Sequence, residues 1–144
     1  MAHPGGRPSK YTPELADRIC RAIATSTKSL KQICASNEGF PCRETIYDWC
    51  WDYEEFSNKY DQAKRHQANL LAEEVVTIAD DDYDDMIQGE HGMIPNSARV
   101  QRHKLRVDSR KWIACKLLPK VYGEKQHVES EHKVTFEDKL KDLK

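Results

Sequence analysis

Two adjacent segments of opposite charge constrain this chain more than any other feature of its sequence. Residues 54–90 carry 3 Lys or Arg against 11 Asp or Glu, which gives a net charge of −8. Residues 91–123 carry 8 against 1, a net charge of +7, although the whole 144-residue chain has a net charge of only −1. Because opposite charges attract, we expect the two segments to meet, within one chain or between chains.

Apolar residues recur at helical spacing in both charged segments and predict two long antiparallel helices. The acidic helix runs over about residues 54–79. The basic helix begins after a cap at Asn96 or Ser97 and is ended by Pro119. The residues between them, 80–96, contain five aspartates together with Gly and Pro, so we expect a loop.

The basic helix carries a large aromatic residue, Trp112, among apolar neighbours, which predicts that part of the helix is buried. These neighbours are Leu105, Val107, Ile113, Leu117 and Leu118. The basic residues are spread around the helix rather than gathered on one face. This distribution favours pairing with the acidic helix and with neighbouring subunits over a helix that follows DNA.

Three shorter helices are predicted upstream of the charged segments. The first, capped by Thr12, covers about residues 13–26, and the second, capped by Ser29, covers about residues 30–35. After a turn that contains Gly and Pro, the third covers about residues 43–51. Two short helices joined by a turn are typical of a helix-turn-helix unit, whose second helix enters the major groove of DNA.

The N-terminal end of the third helix supplies the candidate base contacts. Arg43 suits a forked contact with a guanine, Glu44 suits a cytosine amine, and Tyr47 lies one turn further along. Lys28 and Lys31 precede this helix where DNA phosphates would pass. These five residues are the predicted DNA-binding set of the helix-turn-helix unit.

The same helical pattern is also given by a small three-helix bundle that binds no nucleic acid. Residues 1–53 have a net charge of only +1, so one copy should bind DNA poorly, whereas several linked copies should bind usefully. The flexible basic arm, residues 1–11, adds Arg7 and Lys10 in a Gly-Arg-Pro context that suits a narrow minor groove. A disordered tail without a DNA contact is the alternative for this arm.

Other kinds of functional site leave no signature in this sequence. The five cysteines contain no C-x-x-C pair, so reduced, buried thiols are expected rather than zinc. The aspartates of residues 80–85 lack the EF-hand order of ligands, which favours a solvated acidic loop over a metal site. Nucleotide-binding and nucleophile motifs are also absent. We therefore expect no cofactor, no metal, no enzymatic activity and no membrane span.

The sequence thus predicts a mainly α protein with four parts. They are a flexible arm at residues 1–11, a helix-turn-helix DNA-binding domain at 12–53, a helical-hairpin oligomerisation domain at 54–123 and a C-terminal tail at 124–144. Within the tail, residues 133–136 alternate between polar and apolar, which makes them a candidate for a short C-terminal β-strand.

Three stretches of the sequence match the pattern of a known family, and the last of them has an unusual order of residue types. They are GRPSKYTPE at residues 6–14, TIYDW at residues 45–49 followed by YDQA at 60–63, and LRVDSRKW at residues 105–112 followed by LPKVYGEK at 118–125. Together they resemble the small terminase subunit of tailed double-stranded DNA bacteriophages. The last stretch is the most specific of the three.

This resemblance implies a ring of roughly eight or nine subunits around a central channel, with the heads outside and the hairpins in the wall. Such a ring recognises the packaging start on concatemeric viral DNA. It recruits the large terminase subunit and regulates its ATPase and nuclease, without catalytic activity of its own. We expect it in the host cytoplasm and not in the mature virion.

Three other functions remain open from the sequence. The first is a dimeric helix-turn-helix transcriptional repressor, which would read two half-sites one helical turn apart. The second is a nuclease that uses the aspartates of residues 80–85 with a metal ion. The third is an interaction scaffold whose helix-turn-helix binds no DNA.

Overall fold

The computed structural model of the chain describes residues 10–124. Within this range the elements are α1 (Pro13–Ala24), α2 (Leu30–Ser36), α3 (Arg43–Asp52), α4 (Glu54–Asp80), β1 (Met86–Gly89), β2 (Gly92–Pro95), α5 (Ser97–Leu117) and α6 (Pro119–Tyr122). The predicted mainly α class, with short upstream helices and a long helical hairpin, is confirmed. The candidate strand at residues 133–136 lies outside the described residues.

Side-chain caps begin the helices where the sequence predicts them. The hydroxyl group of Thr12 accepts a hydrogen bond from a backbone N–H in the first turn of α1. Ser29 and Gln32 form a reciprocal capping box at the start of α2. The side-chain oxygen of Asn96 accepts a hydrogen bond from the backbone N–H of Arg99 and thereby caps α5. α1 ends at Ala24, two residues before its predicted end.

The three short helices and the beginning of α4 share one hydrophobic core. We call α1, α2 and α3 the head. The largest fully buried side chains of this shared core are Phe56, Ile19, Ile23 and Ile46. Phe56 belongs to α4, so the long helix contributes to the core of the head as well as to the hairpin. This shared helix fixes where the head sits on the rest of the molecule.

α4, the two strands and α5 form an antiparallel unit that we call the hairpin. α4 has 27 residues and is therefore about 40 Å long. Ion pairs join its acidic side chains to α5: Glu74 Oε2 lies 2.6 Å from Arg110 Nε, and Asp81 Oδ2 lies 3.0 Å from Arg99 Nη2. The expectation that the acidic and basic segments meet is thus met within one chain.

The sequence prediction of a loop over residues 80–96 is wrong. α4 continues through Asp80, and β1 and β2 then pair antiparallel, with Ile87 opposite Ile94. A two-residue connection joins the strands, and Gly92 beside it adopts φ +127°, which a side chain would disfavour. The apolar side chains of the two strands remain largely exposed, so this small sheet projects from the end of the hairpin.

The prediction that part of α5 is buried holds within the single chain, but not for Trp112 or Leu105. Trp112 is 64% exposed and Leu105 is 66% exposed, whereas Ala114 is the residue of α5 that is fully buried. The physical reason is that α4 covers only one side of α5. Within residues 10–124, no helix is long and apolar enough to cross a lipid bilayer.

Candidate nucleic-acid interface

The helix-turn-helix is held together by apolar side chains from both of its helices. Leu30 and Ile33 of α2 and Ile46 and Trp49 of α3 are buried in the core of the head. In the turn between the helices, Gly39 adopts φ +81°, a conformation that favours glycine. The buried residues fix the rotation of α3, so its opposite face points to solvent.

That outer face of α3 presents the residues that the sequence predicts. Arg43, Tyr47 and Trp51 follow one another at four-residue spacing and therefore lie on one side of the helix. Tyr47 is 50% exposed and Trp51 is 91% exposed. Helical spacing predicts that Trp51 points outward but assigns it no role. Its almost complete exposure adds it to the candidate contact residues.

A surface depression of about 460 Å³ lies between α2 and the beginning of α3. Lys31, Arg43 and Glu44 all line it, together with Phe40 and Pro41 from the turn. The fold therefore brings three of the predicted DNA-binding residues around one concave surface. Two of the three are cations and Glu44 is an anion, so the depression has a small net positive charge, which favours a phosphate group.

Arg43 is paired with its neighbour Glu44 in the free protein. The Oε1 atom of Glu44 lies 2.9 Å from Nη2 and 3.3 Å from Nε of Arg43. Hydrogen bonding to Glu44 raises the pKa of Arg43. The pKa of Glu44 is lowered by its own backbone N–H at the beginning of α3 and by Arg43. Because both side chains are exposed, a base or a phosphate can replace this contact.

The charge of α3 changes along its length and favours one direction of approach. Arg43 stands at its N-terminal end, whereas Asp48 and Asp52 follow on its exposed surface. α4 then begins with two more acidic residues, Glu54 and Glu55. Phosphates are repelled from the C-terminal half of α3, so DNA would approach its N-terminal end, as in other helix-turn-helix units.

Lys28 and Lys10, two further predicted cations, do not line the depression. Lys28 is exposed in the α1–α2 loop, and Lys10 is exposed at the first described residue, whereas Arg7 lies outside the described residues. The ring of Tyr11 stacks on that of Tyr53, with 3.9 Å between the centroids. This stacking anchors the end of the N-terminal arm beside the end of α3.

The acidic residues after α4 do not form a metal site. Arg99 of α5 lies 3.0 Å from a carboxylate oxygen of Asp81 and 3.8 Å from one of Asp85. The guanidinium group of Arg99 therefore offsets part of the negative charge of these two carboxylates. Within the described part of the chain, His, Cys, Asp and Glu side chains form no group of three or more that would hold a metal ion.

The cysteines are free thiols with different environments. Cys20 is buried, and Cys34, Cys50 and Cys115 are half-buried, but Cys42 is exposed at the start of α3, contrary to the expectation of buried thiols. Burial is the main cause that raises the pKa of Cys20 and Cys50 to about 11. These two thiols stay protonated at neutral pH and are poor nucleophiles.

Comparison with known proteins gives the family of the chain. The sequence model of one protein family, described as bacteriophage Sf6, terminase small subunit-like, matches residues 11–129. The chain belongs to this family. The resemblance seen in the sequence is thereby confirmed, and the chain is a terminase small subunit with a role in the packaging of phage DNA. Among curated proteins, none matches significantly.

Solved structures support the same assignment. Crystal structures of three single-substitution variants of the terminase small subunit gp1 of the bacterial virus Sf6 are similar to this chain. One has 35% sequence identity and a TM-score of 0.67, and the match covers 88% of this chain and 93% of gp1. The other two have 35% and 36% identity, TM-scores of 0.64, and coverage of 83% of this chain and 82% of gp1.

Proposed function

We propose that this terminase small subunit is the DNA-recognition component of a phage packaging motor. Several copies join through their hairpins into a ring, and the heads recognise the packaging start on concatemeric DNA. The observation that carries the proposal is the exposed N-terminal end of α3, with Lys31 and Arg43 around one depression, in a chain of this family.

The DNA contact divides into two kinds on this proposal. Arg43, Glu44 and Tyr47 contact base edges in the major groove, since they lie at the N-terminal end of the exposed helix. Lys28 and Lys31 contact the phosphate backbone, and Lys10 with Arg7 of the arm reaches the minor groove. Because the arm and the head together, residues 1–53, have a net charge of only +1, binding depends on several heads that act together.

Assembly into a ring is supported by the exposed apolar side chains of α5. Leu105 and Trp112 lie seven residues apart, and therefore on the same side of α5, and both are more than half exposed. A repeated contact between one face of the hairpin and another face of its neighbour closes a ring of roughly eight or nine chains. We propose that the ring recruits the large terminase subunit and regulates its ATPase and nuclease, without catalysis of its own. It acts in the host cytoplasm and is left out of the mature virion.

A double variant tests the DNA contact. We expect Lys31→Ala with Arg43→Ala to weaken binding to duplex DNA about tenfold or more and to reduce the salt dependence by about one unit per lost phosphate contact. Arg65→Ala removes a similar exposed charge from α4 and is the matched control. Unchanged affinity and salt dependence in the double variant would refute the proposed interface.

The native mass of the purified protein tests the assembly separately. A closed oligomer of about eight or nine chains in native mass spectrometry agrees with a packaging ring. A dimer, combined with a palindromic footprint on DNA, would instead identify a helix-turn-helix repressor. A monomer at all accessible concentrations would refute the assembly part of the proposal.

A further inference from the structure

A buried glutamine ties the head to the hairpin. Gln67 of α4 is 3% exposed and is the buried polar side chain of the described residues. Its amide nitrogen donates to the carbonyl oxygens of Ser26, at 2.7 Å, and Lys28, at 3.3 Å, and its amide oxygen accepts a hydrogen bond from Nζ of Lys64, at 2.6 Å. A buried amide without partners is costly, so these hydrogen bonds hold the α1–α2 loop on α4.

A second contact of the same loop lies two helical turns further along α4. The hydroxyl group of Thr27 donates to Oε1 of Glu74 at 3.0 Å, and the other oxygen of Glu74 accepts a hydrogen bond from Nε of Arg110 at 2.6 Å. Burial opposes the ionisation of Glu74, but the hydrogen bonds from Arg110 and Thr27 outweigh it and lower the pKa of the carboxyl group. The ionised carboxylate therefore joins the loop to α5.

This connection is the polar path from α5 to the head. Among the described elements, α5 packs on α4 and α6 and not on α1, α2 or α3. The loop held by Gln67 and Glu74 contains Lys28 and leads directly into the capping box of Ser29. The backbone position of Lys28 is thus held by residues of the hairpin, which lie outside the helix-turn-helix.

We infer that Gln67 and Glu74 are positioning residues that hold the α1–α2 loop, with Lys28, in the orientation that DNA binding requires. This inference rests on the proposed DNA-binding function. It also implies that a change in the packing of α5 on α4, such as one caused by assembly, affects the head through the contact between Arg110 and Glu74. A mutation in the hairpin should therefore change DNA binding without removing any DNA contact.

The test compares near-isosteric variants of the full chain. Thr27→Val removes the hydroxyl group that donates to Glu74, Thr27→Ser retains it, and Thr77→Val makes the same change at an exposed position of α4. We expect about tenfold faster amide hydrogen exchange over residues 26–29 in Thr27→Val but not in Thr27→Ser or Thr77→Val. We expect its affinity for a labelled random-sequence duplex to fall about threefold, with recovery in Thr27→Ser.

Arg110→Met is the second variant, because it leaves the loop residues intact and breaks the link at α5. We expect faster exchange over residues 26–29 here too, although these residues are unchanged. Wild-type exchange in both Thr27→Val and Arg110→Met would overturn the inference. Faster exchange with unchanged DNA affinity would overturn the positioning role.

Failure of the proposed function gives a different result. A wild-type chain that binds no duplex DNA would refute the DNA-binding function and the positioning role that rests on it. The exchange measurement needs no DNA and shows independently whether the loop is held by Thr27, Glu74 and Arg110.

Discussion

The head and the hairpin share α4 but differ in how they bury apolar side chains. In the head, Ile19, Ile46 and Phe56 are fully buried within one chain. In the hairpin beyond the head, the buried side chains are few, and two of the five are alanines. They are Gln67, Ala68, Leu71, Ile78 and Ala114. The apolar side chains in the core of the head are therefore buried within one chain. The hairpin instead leaves apolar side chains exposed, which are available for contact with a second macromolecule.

Electrostatics shows the same contrast. The hairpin is held by ion pairs between its two arms, such as Glu74 with Arg110. The head is held by apolar and aromatic packing, with Tyr11 stacked on Tyr53 and Trp49 edge-on to Phe56. Because partly exposed ion pairs add little stability, the hairpin should depend on assembly for its stability more than the head does.

The largest expected effect is the loss of unfolding free energy caused by a substitution in the core of the head, compared with one on the surface of the hairpin. Phe56→Ala should lower the free energy of unfolding by about 3–5 kcal/mol, because the ring is fully buried in the head. Leu105→Ala, at a 66% exposed position, should cost less than about 0.5 kcal/mol in the monomer. Urea unfolding of dilute protein, followed by circular dichroism, measures both. Equal losses of unfolding free energy in the two variants would contradict the difference in burial between the head and the hairpin.

Substitutions of two exposed tryptophans test which of the two regions forms the contact between subunits. If α5 forms the contact between neighbouring subunits, Trp112→Ala should weaken each contact by about 2 kcal/mol or more. The reason is that large aromatic residues contribute most of the binding energy of an interface. Trp51→Ala removes the same side chain from the head, where it is 91% exposed, and should leave the native mass unchanged. Native mass spectrometry at several concentrations measures both variants. Dissociation caused by Trp51→Ala alone would place the assembly contact on the head.

Local signals in the sequence were sufficient for the head and for the helices of the hairpin. Thr12 and Ser29 predict the helix starts because capping depends on residues within one turn. The outer face of α3 follows from its helical period, which depends on the same short range. The two strands escaped prediction because each offers only two consecutive apolar residues, such as Ile87 beside Met86, in an acidic and glycine-containing stretch.

The remaining features depend on contacts between distant residues. Helical spacing predicts an apolar side for Trp112 but not whether the surface that covers it belongs to the same chain. Gln67 and Glu74 look like ordinary residues of an acidic helix, and only the fold brings them to the α1–α2 loop. The pairing of Arg43 with Glu44 depends on side-chain rotamers, which the sequence does not specify.

A smaller effect is expected from the ion pair at the start of α3. Glu44→Gln removes a negative charge and releases Arg43, so affinity for random-sequence duplex DNA should rise about threefold. Glu38→Gln removes the same charge from an exposed residue of the turn and is the matched control. Fluorescence anisotropy at two salt concentrations measures both. An equal gain in the two variants would mean that net charge, rather than release of Arg43, explains the effect.

The smallest expected effect is the pH dependence of the contact between the hairpin and the head. The pKa of Glu74 is lowered from its ordinary value of 4.5 in the folded chain, so the ionised carboxylate stabilises the fold. This contribution is fully present above pH 4.5 and is lost as the pH falls through the folded-state pKa. Since Glu74 is partly exposed, we expect less than about 1 kcal/mol.

Unfolding free energies of the wild type and Glu74→Gln measure this contribution. Their difference should stay constant at neutral and mildly acidic pH and shrink below pH 4.5. In an Arg110→Met background the same substitution should lose most of its pH dependence, because Arg110 donates the 2.6 Å hydrogen bond that favours the ionised form. A difference that grows on acidification would mean that Glu74 stabilises the fold as the neutral acid, and the link from α5 to the head would then not depend on its charge.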